Sequence, residues 1–264
     1  MYYSIDQLGR TIFLSDTPTR IISLVPSQTE LLVDLGLRDK IVGVTKFCVH
    51  PLGLMKEKTV IGGTKNFNFG RIEAIQPDLI IGNKEENYKE GIEKLAERYP
   101  VWMSDIYCLR DALEMIASIG SLTNSAGQAN RIIQQLSRDF EYPAETNGSA
   151  YYLIWNNPIM LAGKNTFIDD MMRFSGFSNL ASEDRYPEVS LDRLTKDPPD
   201  FLLLSSEPYP FKRNEVEFFQ KMLPSTKVTI ADGEMFSWYG SRMLHAAKYF
   251  KLFAEELSGS KTRL

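Results

Sequence analysis

The sequence predicts an α/β protein with two lobes, each built around a parallel sheet, and three observations support this fold class. Apolar strand-like runs alternate with amphipathic helical segments along most of the chain. A short helix, a Pro-Asp pair and a buried strand follow one another twice, as FGRIEAIQPDLIIG at 69–82 and LDRLTKDPPDFLLL at 191–204. One long helical segment at 124–142 divides the halves. We therefore predict an N-terminal lobe over 1–123, this connecting helix, and a C-terminal lobe over 143–264.

The N-terminal lobe begins with a predicted hairpin, a strand and a helix. Residues 2–14 predict the hairpin, because two short strand-like runs flank a polar turn. Residues 21–25 are apolar apart from Ser23, which is typical of a strand buried on both faces. Ser27 followed by Glu30 predicts a capping box, with Ser27 as the N-cap of a helix over 28–35. Further along, we predict strands at 40–44, 59–61, 79–81 and 100–103, helices at 91–98 and 109–119, and a flexible loop at 62–66.

The C-terminal lobe is predicted to have the same alternation. We predict strands at 151–155, 201–204 and 227–230, and helices at 166–174 and 241–257. The aromatic stretch 232–240 is predicted to be a loop, whose rings pack against the body or contact a flat ligand. For the repeat itself, a chance match is the alternative, because helix–Pro-Asp–strand joints are common in α/β proteins.

Composition excludes several classes of protein. Of the 264 residues, 43% are hydrophobic and 24% are charged, and the net charge is -4. No basic stripe predicts a nucleic-acid partner, and no apolar run approaches the ~18 residues of a membrane span. The N-terminus lacks a signal-peptide pattern, which leaves a cytoplasmic protein or the mature form of an exported one. Cys48 and Cys108 lie in no CxxC or zinc spacing, so two buried thiols are favoured over a disulfide.

The sequence carries no recognisable catalytic machinery. It lacks GxSxG, P-loop, GxGxxG and HExxH motifs and has only two histidines. His50 lies near Cys48 and is a weak candidate ligand, but two ligands are too few, so we predict no metal site. The protein is therefore expected not to be an enzyme.

Ligand-binding candidates come from the segments that follow strands, because ligands of parallel sheets bind at the carboxyl ends of the strands. The aromatic side chains in these segments are as consistent with core packing as with ligand contact. For Lys84 and Glu85, a solvated turn is the alternative. Arg242 opposes the helix dipole and needs a partner, either Glu234 or an anionic group of a ligand. The candidates are Ser27, Gln28, Phe47, His50, Lys65, Asn66, Lys84, Glu85, Trp155, Glu207, Tyr209, Phe236, Trp238, Tyr239 and Arg242.

These segments together resemble the periplasmic binding proteins of the cobalamin and iron-siderophore class, which feed ATP-driven importers. The resemblance lies in DQLGRTIFL, TRIISLVPSQTELLVDLGLRDKIVGVT, GGT at 62–64 and the paired Pro-Asp repeats. GVTKFCVHP and WYGSR at 238–242 are most similar to the cobalamin-binding branch. The resemblance implies two Rossmann-like lobes joined by one long helix, as in class III solute-binding proteins. It also implies a ligand cleft between the lobes, little hinge motion, no intrinsic cofactor, a monomer and an extracytoplasmic location.

The resemblance also implies a ligand and a partner. The ligand would be a corrinoid captured for ABC-type import. An iron-siderophore, haem or other metal chelate is the alternative, as is a cytoplasmic corrinoid-binding protein without a transporter. In this family a surface Glu on each lobe docks onto permease arginines. Gly70 and Asp192 occupy the matching positions, so the first carboxylate is missing, and Glu73 or Glu188 are the nearest substitutes.

Overall fold

The computed structural model describes residues 2–258, which divide into two compact α/β units. The first unit contains the chain up to Ile106, Arg110–Leu136 and Tyr239–Arg242. The second contains Tyr107–Leu109, Ser137–Trp238 and residues 243–258. The short segment 107–109, from the first half of the chain, belongs to the second unit, and the segment 239–242, from the second half, belongs to the first unit. The sequence did not indicate either exchange. The lobe boundaries given above stay a prediction.

The first unit alternates strands and helices for most of its length. Its strands are β1 (Tyr2–Ile5), β2 (Thr11–Leu14), β3 (Ile21–Ser23), β4 (Ile41–Val44), β5 (Thr59–Val60), β6 (Gly62–Gly63), β7 (Asn66–Phe67), β8 (Leu79–Asn83) and β9 (Val101–Ser104). Its helices are α1 (Pro26–Asp34), α2 (Leu54–Glu57), α3 (Phe69–Ile75), α4 (Lys89–Ala96), α5 (Leu109–Leu122) and α6 (Ala126–Asp139), with a 3-10 turn at Arg38–Lys40. The boundary between the two units falls within helix α6, between Leu136 and Ser137.

The central sheet of the first unit is parallel, in the order β5-β4-β3-β8-β9. Strands β1 and β2 form the predicted antiparallel hairpin outside it. Because the five strands run the same way, their carboxyl ends share one edge, where side chains from different loops meet.

The predicted capping box at the start of α1 is wrong. Val25 is the N-cap and makes no side-chain cap bond, and Pro26 occupies the first helical turn. Proline fits there because its missing N–H would have no helical partner. Ser27 therefore lies inside the helix, and the Glu30 carboxylate is available for a distant partner.

The predicted flexible loop at 62–66 is also wrong, because β6 and β7 pair there as a short antiparallel hairpin. Gly62 has φ 113°, and a Cβ added to it would lie 2.3 Å from the carbonyl oxygen of Asn66. Only glycine adopts this backbone at so close an approach.

The second unit has a mixed sheet. Its strands are β10 (Gly148–Trp155), β11 (Met160–Leu161), β12 (Phe177–Asn179), β13 (Phe201–Ser205) and β14 (Lys227–Ala231). Its helices are α7 (Phe167–Phe174), α8 (Leu191–Lys196), α9 (Arg213–Met222), α10 (Gly233–Ser237) and α11 (Met243–Ser258). The sheet order is β11-β10-β13-β14, with β12 also paired to β10. All pairs are parallel except β10 with β11.

The two repeats predicted from the sequence occupy equivalent places. In each, a helix (α3 or α8) ends before the Pro-Asp pair, and a strand (β8 or β13) follows. The Asp78 carboxylate accepts the N–H groups of Thr19 and Arg20, each at 2.8 Å, just before β3. The Asp200 carboxylate accepts the N–H of Ser149 at 2.8 Å, at the start of β10. Each repeat aspartate therefore fixes the beginning of the strand that pairs with its own strand.

Apolar side chains fill each unit beneath its helices. In the second unit, Tyr151, Leu153, Leu202, Leu204 and Phe219 form the centre of one buried cluster. Cys48 is buried and Cys108 is half-buried, which corrects the expectation that both are buried, and the two form no disulfide. In residues 2–258, no helix is both long enough and apolar enough to span a membrane.

Candidate functional site

A buried polar network lies at the carboxyl edge of the parallel sheet in the first unit. The Gln28 side-chain amide donates to the Ser104 hydroxyl at 2.6 Å and to the Gly82 carbonyl at 3.2 Å. The Asn83 amide donates to the same hydroxyl at 3.0 Å. These groups are fully or almost fully buried, so they tie α1 to the ends of β8 and β9 from beneath the surface.

Two asparagines shape the turn that follows β8. The Asn83 side-chain oxygen accepts the N–H groups of Glu85 and Glu86, at 2.8 and 3.1 Å. The Asn87 side-chain oxygen accepts the N–H of Asn83 at 2.9 Å, and its amide donates to the Thr64 carbonyl at 3.0 Å. Asn87 therefore joins this turn to the loop between β6 and β7.

The charged side chains on this turn have partners in the first unit. The Lys84 ammonium lies 2.6 Å from the Asp105 carboxylate. The Lys65 ammonium donates to the Glu85 carbonyl at 2.6 Å. The turn is therefore held by an ion pair and a hydrogen bond within the first unit, and is more than a solvated charged turn.

The loop after β4 exposes apolar surface at the same edge. The Phe47 side chain is 48% exposed and that of Val49 is 41% exposed. The Lys46 ammonium lies 5.0 Å from the centre of the Phe47 ring, within cation–π range. Behind the ring, a Cβ added at Gly63 would lie 3.3 Å from Phe47 Cε2, so the glycine lets the ring lie close to β6. His50 is half-buried, and no cluster in residues 2–258 could hold a metal ion.

The segment Tyr239–Arg242 is held in the first unit by α1 and the turn after β8. The Arg242 guanidinium donates to both oxygens of the Glu30 carboxylate, at 2.6 and 2.8 Å. Both side chains are mostly buried, with 11% and 14% exposed. The Tyr239 hydroxyl donates to the Glu86 carboxylate at 3.2 Å, and burial raises the pKa of Tyr239 well above its usual value. Glu30 is therefore a partner of Arg242 that the sequence did not indicate, and pairing with Glu234 or with a ligand anion stays a prediction.

An aromatic pair lies at the carboxyl edge of the sheet in the second unit. Trp155 ends β10 and is 39% exposed. Its ring contacts the Tyr209 ring edge-to-face, with 5.5 Å between centres. The Trp155 indole N–H donates to the Asn157 carbonyl at 3.1 Å, and the Asn156 amide lies 3.4 Å from the Tyr209 hydroxyl. The two rings and their neighbouring amides form a half-exposed surface, here called the aromatic pair.

Glu207 follows β13 and lies against the start of the neighbouring loop. Its carboxylate accepts the Trp238 indole N–H at 2.7 Å and the Ser237 hydroxyl at 3.0 Å. Burial is the main cause that raises the pKa of Glu207, and these two hydrogen bonds partly offset it. Trp238 itself is buried, and Phe236 is fully buried against Tyr152 and α11.

The structure thus separates the sequence candidates by exposure. Ser27, Gln28, Phe236, Trp238 and Tyr239 are buried. Sequence reasoning missed Asn83 and Asn87, although two asparagines four residues apart after a strand are a typical signal for a side-chain-stabilised turn. The half-buried or exposed candidates are Phe47, His50, Lys65, Asn66, Lys84, Glu85, Trp155, Glu207, Tyr209 and Arg242.

Comparison with known proteins relates this arrangement to a family. A family model described as periplasmic binding protein matches residues 21–224. A vitamin B12-binding protein of Vibrio campbellii is 28% identical over 206 residues, which cover 73% of this chain and 73% of that protein. An uncharacterised ABC transporter substrate-binding lipoprotein of Bacillus subtilis is 27% identical over 194 residues, covering 67% of this chain and 60% of the lipoprotein.

A solved structure of a periplasmic haem-binding protein from Pseudomonas aeruginosa matches with a TM-score of 0.77 at 20% identity, covering 94% of this chain and 95% of that one. At this identity the match shows a shared fold. It agrees with the predicted fold class, in which Rossmann-like α/β units with parallel sheets are joined by a helix. The family model spans well over half of the chain, and the chain therefore belongs to the periplasmic binding protein family.

Proposed function

We propose that this protein is the substrate-binding component of an ABC importer and that its ligand is a corrinoid. Membership of the periplasmic binding protein family supports the first part. The names of two similar proteins, a vitamin B12-binding protein and an ABC transporter substrate-binding lipoprotein, support both parts. The role is capture of a small molecule from outside the cytoplasm, without a catalytic step.

The aromatic pair is the observation that carries the choice of ligand. A corrinoid has a broad apolar ring face and a rim of amide side chains. Trp155 and Tyr209 offer half-exposed ring surface, which binds an apolar face through dispersion and area burial. The neighbouring side-chain amide of Asn156 and the carbonyl of Asn157 are suited to amide partners. Phe47 and Lys65 in the first unit stay candidate contacts.

Haem or a ferric siderophore is the competing ligand. These chelates are commonly anionic, and the exposed Lys46 and Lys65 would favour them. Haem iron takes an axial side-chain ligand from its protein, and His50 is the candidate that the sequence indicates. Cobalamin carries its own axial base and needs no such residue, so the two ligands make different demands on His50.

Titration by difference absorbance tests the proposal. Cyanocobalamin, dicyanocobinamide, haemin and a ferric hydroxamate siderophore are each added to the purified protein. We expect saturable one-to-one binding of both corrinoids, with a Kd of about 1 µM or tighter. Phe47→Ala is expected to weaken binding, whereas Phe13→Ala, which removes a similarly exposed ring from β2, serves as the matched control.

Saturable binding of haemin, with no spectral response to either corrinoid, would contradict a corrinoid as the ligand. It would leave the proposed role as the substrate-binding component of an importer unchanged. In that case His50→Ala should abolish the haemin signal. Binding of none of the four chelates would remove the metal-chelate class altogether.

Docking onto a permease follows from the family and is part of the proposal. Asp192 is exposed in the first turn of α8, where it could present a carboxylate. Gly70 in α3 presents none, and Glu73 forms an ion pair with Arg98 at 2.7 Å. We therefore expect Asp192→Ala to lower ligand-dependent ATP hydrolysis by the reconstituted importer more than Glu73→Gln does.

A further inference from the structure

Strand β14 has an open edge in the second unit. It lies at the end of the sheet, and no other strand of residues 2–258 pairs with its outer side. The N–H of Lys227 donates to the Asp200 carbonyl at 2.9 Å, and the Ala231 carbonyl accepts the N–H of Ser206 at 3.0 Å. Lys227, Thr229 and Ala231 therefore face β13. Because alternate residues of a parallel strand bond to opposite sides, Val228 and Ile230 direct their main-chain groups outward.

The N–H group of one of these two residues already has a hydrogen-bond partner. The Gln220 side-chain oxygen accepts the N–H of Val228 at 3.2 Å. Ile230 is 37% exposed, and no hydrogen bond from the described chain reaches its outward N–H or carbonyl. An exposed edge of this kind is a template for pairing with another extended chain.

A groove of about 630 Å³ runs beside Ile230, between β14, α11 and the loops that follow β13 and β14. Four carboxylates line it, and among residues 2–258 no lysine or arginine does. Some of these carboxylates lie close enough to affect one another. Burial is the largest cause of the raised pKa of Glu207, and the negative charges of Glu234 and Asp232 raise it further. The four are Glu207, Asp232, Glu234 and Glu256.

An aromatic wall completes the groove. The rings of Tyr249 and Phe253 on α11 stack with 5.3 Å between centres and 16° between planes. Burial is the main cause that raises the pKa of Tyr249 to about 12, and nearby carboxylates add to it, so the hydroxyl stays neutral. Such a wall packs well against the aliphatic stems of lysine and arginine and attracts their charged ends.

We propose that this groove accepts an extended basic segment of a partner polypeptide, which adds to the sheet beside β14. The segment would exchange main-chain hydrogen bonds with Ile230, and its lysine or arginine side chains would lie among the four carboxylates. Strand addition supplies main-chain hydrogen bonds, while the lining charges select the side chains. This proposal does not rest on the ligand proposed above.

Fluorescence anisotropy with a labelled peptide, acetyl-KVKVKV-amide, tests the proposal on the full-length protein. We expect saturable binding that weakens about tenfold or more between 50 and 300 mM salt. The acidic peptide acetyl-EVEVEV-amide should not bind. Glu234→Gln with Glu256→Gln should weaken binding at least tenfold, whereas Glu255→Gln, on the same helix but outside the groove, should leave it unchanged.

Two further arms test the strand geometry. Ile230→Pro removes the outward N–H without touching a bond to β13, and proline is tolerated on an edge strand. It should weaken peptide binding about tenfold. A KVKVKV peptide with alternate main-chain nitrogens methylated should bind the wild-type protein as weakly as the unmodified peptide binds Ile230→Pro. This second measurement tests strand addition even if the proline variant does not fold.

Several results would overturn the proposal. Equal binding of the basic and acidic peptides, or no binding of KVKVKV up to 1 mM, would remove it. Wild-type affinity for the methylated peptide would exclude strand addition. Complete displacement of the peptide by micromolar spermine, with no effect of Ile230→Pro, would assign the groove to a small organic cation instead.

Discussion

Two aromatic regions that look alike in the sequence differ sharply in the structure. Trp155 and Tyr209, in the second unit, lie at the end of the sheet with ring surface exposed. Tyr239, in the first unit, is buried, and Arg242 in the same segment is clamped by two hydrogen bonds to Glu30. Aromatic residues in similar-looking sequence segments are therefore exposed in one place and buried in the other, and the partners that hold the buried segment lie far away in the sequence.

The largest expected effect comes from breaking the clamp. Arg242→Met leaves the mostly buried Glu30 carboxylate without the guanidinium seen here, so we expect a loss of about 3 kcal/mol in the free energy of unfolding. Urea denaturation followed by circular dichroism measures it. The double variant Glu30→Gln with Arg242→Met should recover part of the loss, because no charge is then buried alone. A loss below about 0.5 kcal/mol in the single variant would show that the clamp is not an anchor.

Removing the exposed ring should affect binding instead of stability. Trp155→Ala is expected to weaken corrinoid binding about tenfold, or about 1.4 kcal/mol, because a stacking surface is lost. The unfolding free energy should fall by less than about 1 kcal/mol, because the ring is 39% exposed. Isothermal titration calorimetry and urea denaturation separate the two quantities. Wild-type affinity in this variant would exclude the aromatic pair from the ligand site.

A smaller effect is expected at the hydroxyl of Tyr239. Tyr239→Phe keeps the ring buried and removes the hydrogen bond to Glu86, so we expect a loss of about 1 kcal/mol. Tyr209→Phe, the matched change in the aromatic pair, should leave stability within about 0.5 kcal/mol of the wild type. Thermal unfolding of both variants measures the contrast. A larger loss of stability for Tyr209→Phe than for Tyr239→Phe would show that the Tyr209 hydroxyl, and not that of Tyr239, stabilises the fold.

Glu207 and Asp200 should give opposite pH effects. Burial raises the pKa of Glu207 in the folded protein, so the wild type loses stability as pH rises through that raised value. Glu207→Gln should therefore gain stability relative to the wild type between pH 5 and 8, with no gain at pH 3.5. Hydrogen bonds from Ser149 lower the pKa of Asp200, so its contribution is present at neutral pH and fades as pH falls.

Melting temperatures of Glu207→Gln and Asp200→Asn between pH 3.5 and 8 measure these two trends. Asp200→Asn should be less stable than the wild type at pH 7 and approach it at acidic pH. Parallel curves for the wild type and Glu207→Gln would show that Glu207 carries no burial penalty.

Local sequence rules predicted most of the scaffold. The helix, Pro-Asp and strand of each repeat lie where the pattern places them, because a proline stops a helix and an apolar run forms a buried strand. What could not be predicted depends on distant contacts. The partner of Arg242 lies 212 residues away, and no local pattern reveals it. Ser27 failed as an N-cap because the preceding proline starts the helix, two residues earlier than predicted.

The candidate site was predicted less completely, for the same reason. Residue type indicated which aromatic and charged side chains follow strands, but their exposure depends on packing from the rest of the unit. Phe236 is fully buried because Tyr152, Phe250 and Phe253 surround it. Phe47, in the loop after β4, stays half-exposed, and its ring lies against Gly63 of the β6–β7 hairpin.

Competitive equilibrium dialysis decides between a corrinoid and haem as the ligand. The purified wild-type protein is dialysed against an equimolar mixture of cyanocobalamin and haemin, and the bound fraction is identified by its absorbance spectrum. We expect a retained corrinoid spectrum at close to one equivalent per chain, and a lower retained amount for Trp155→Ala. A retained haem spectrum, or no retained chromophore, would contradict this expectation.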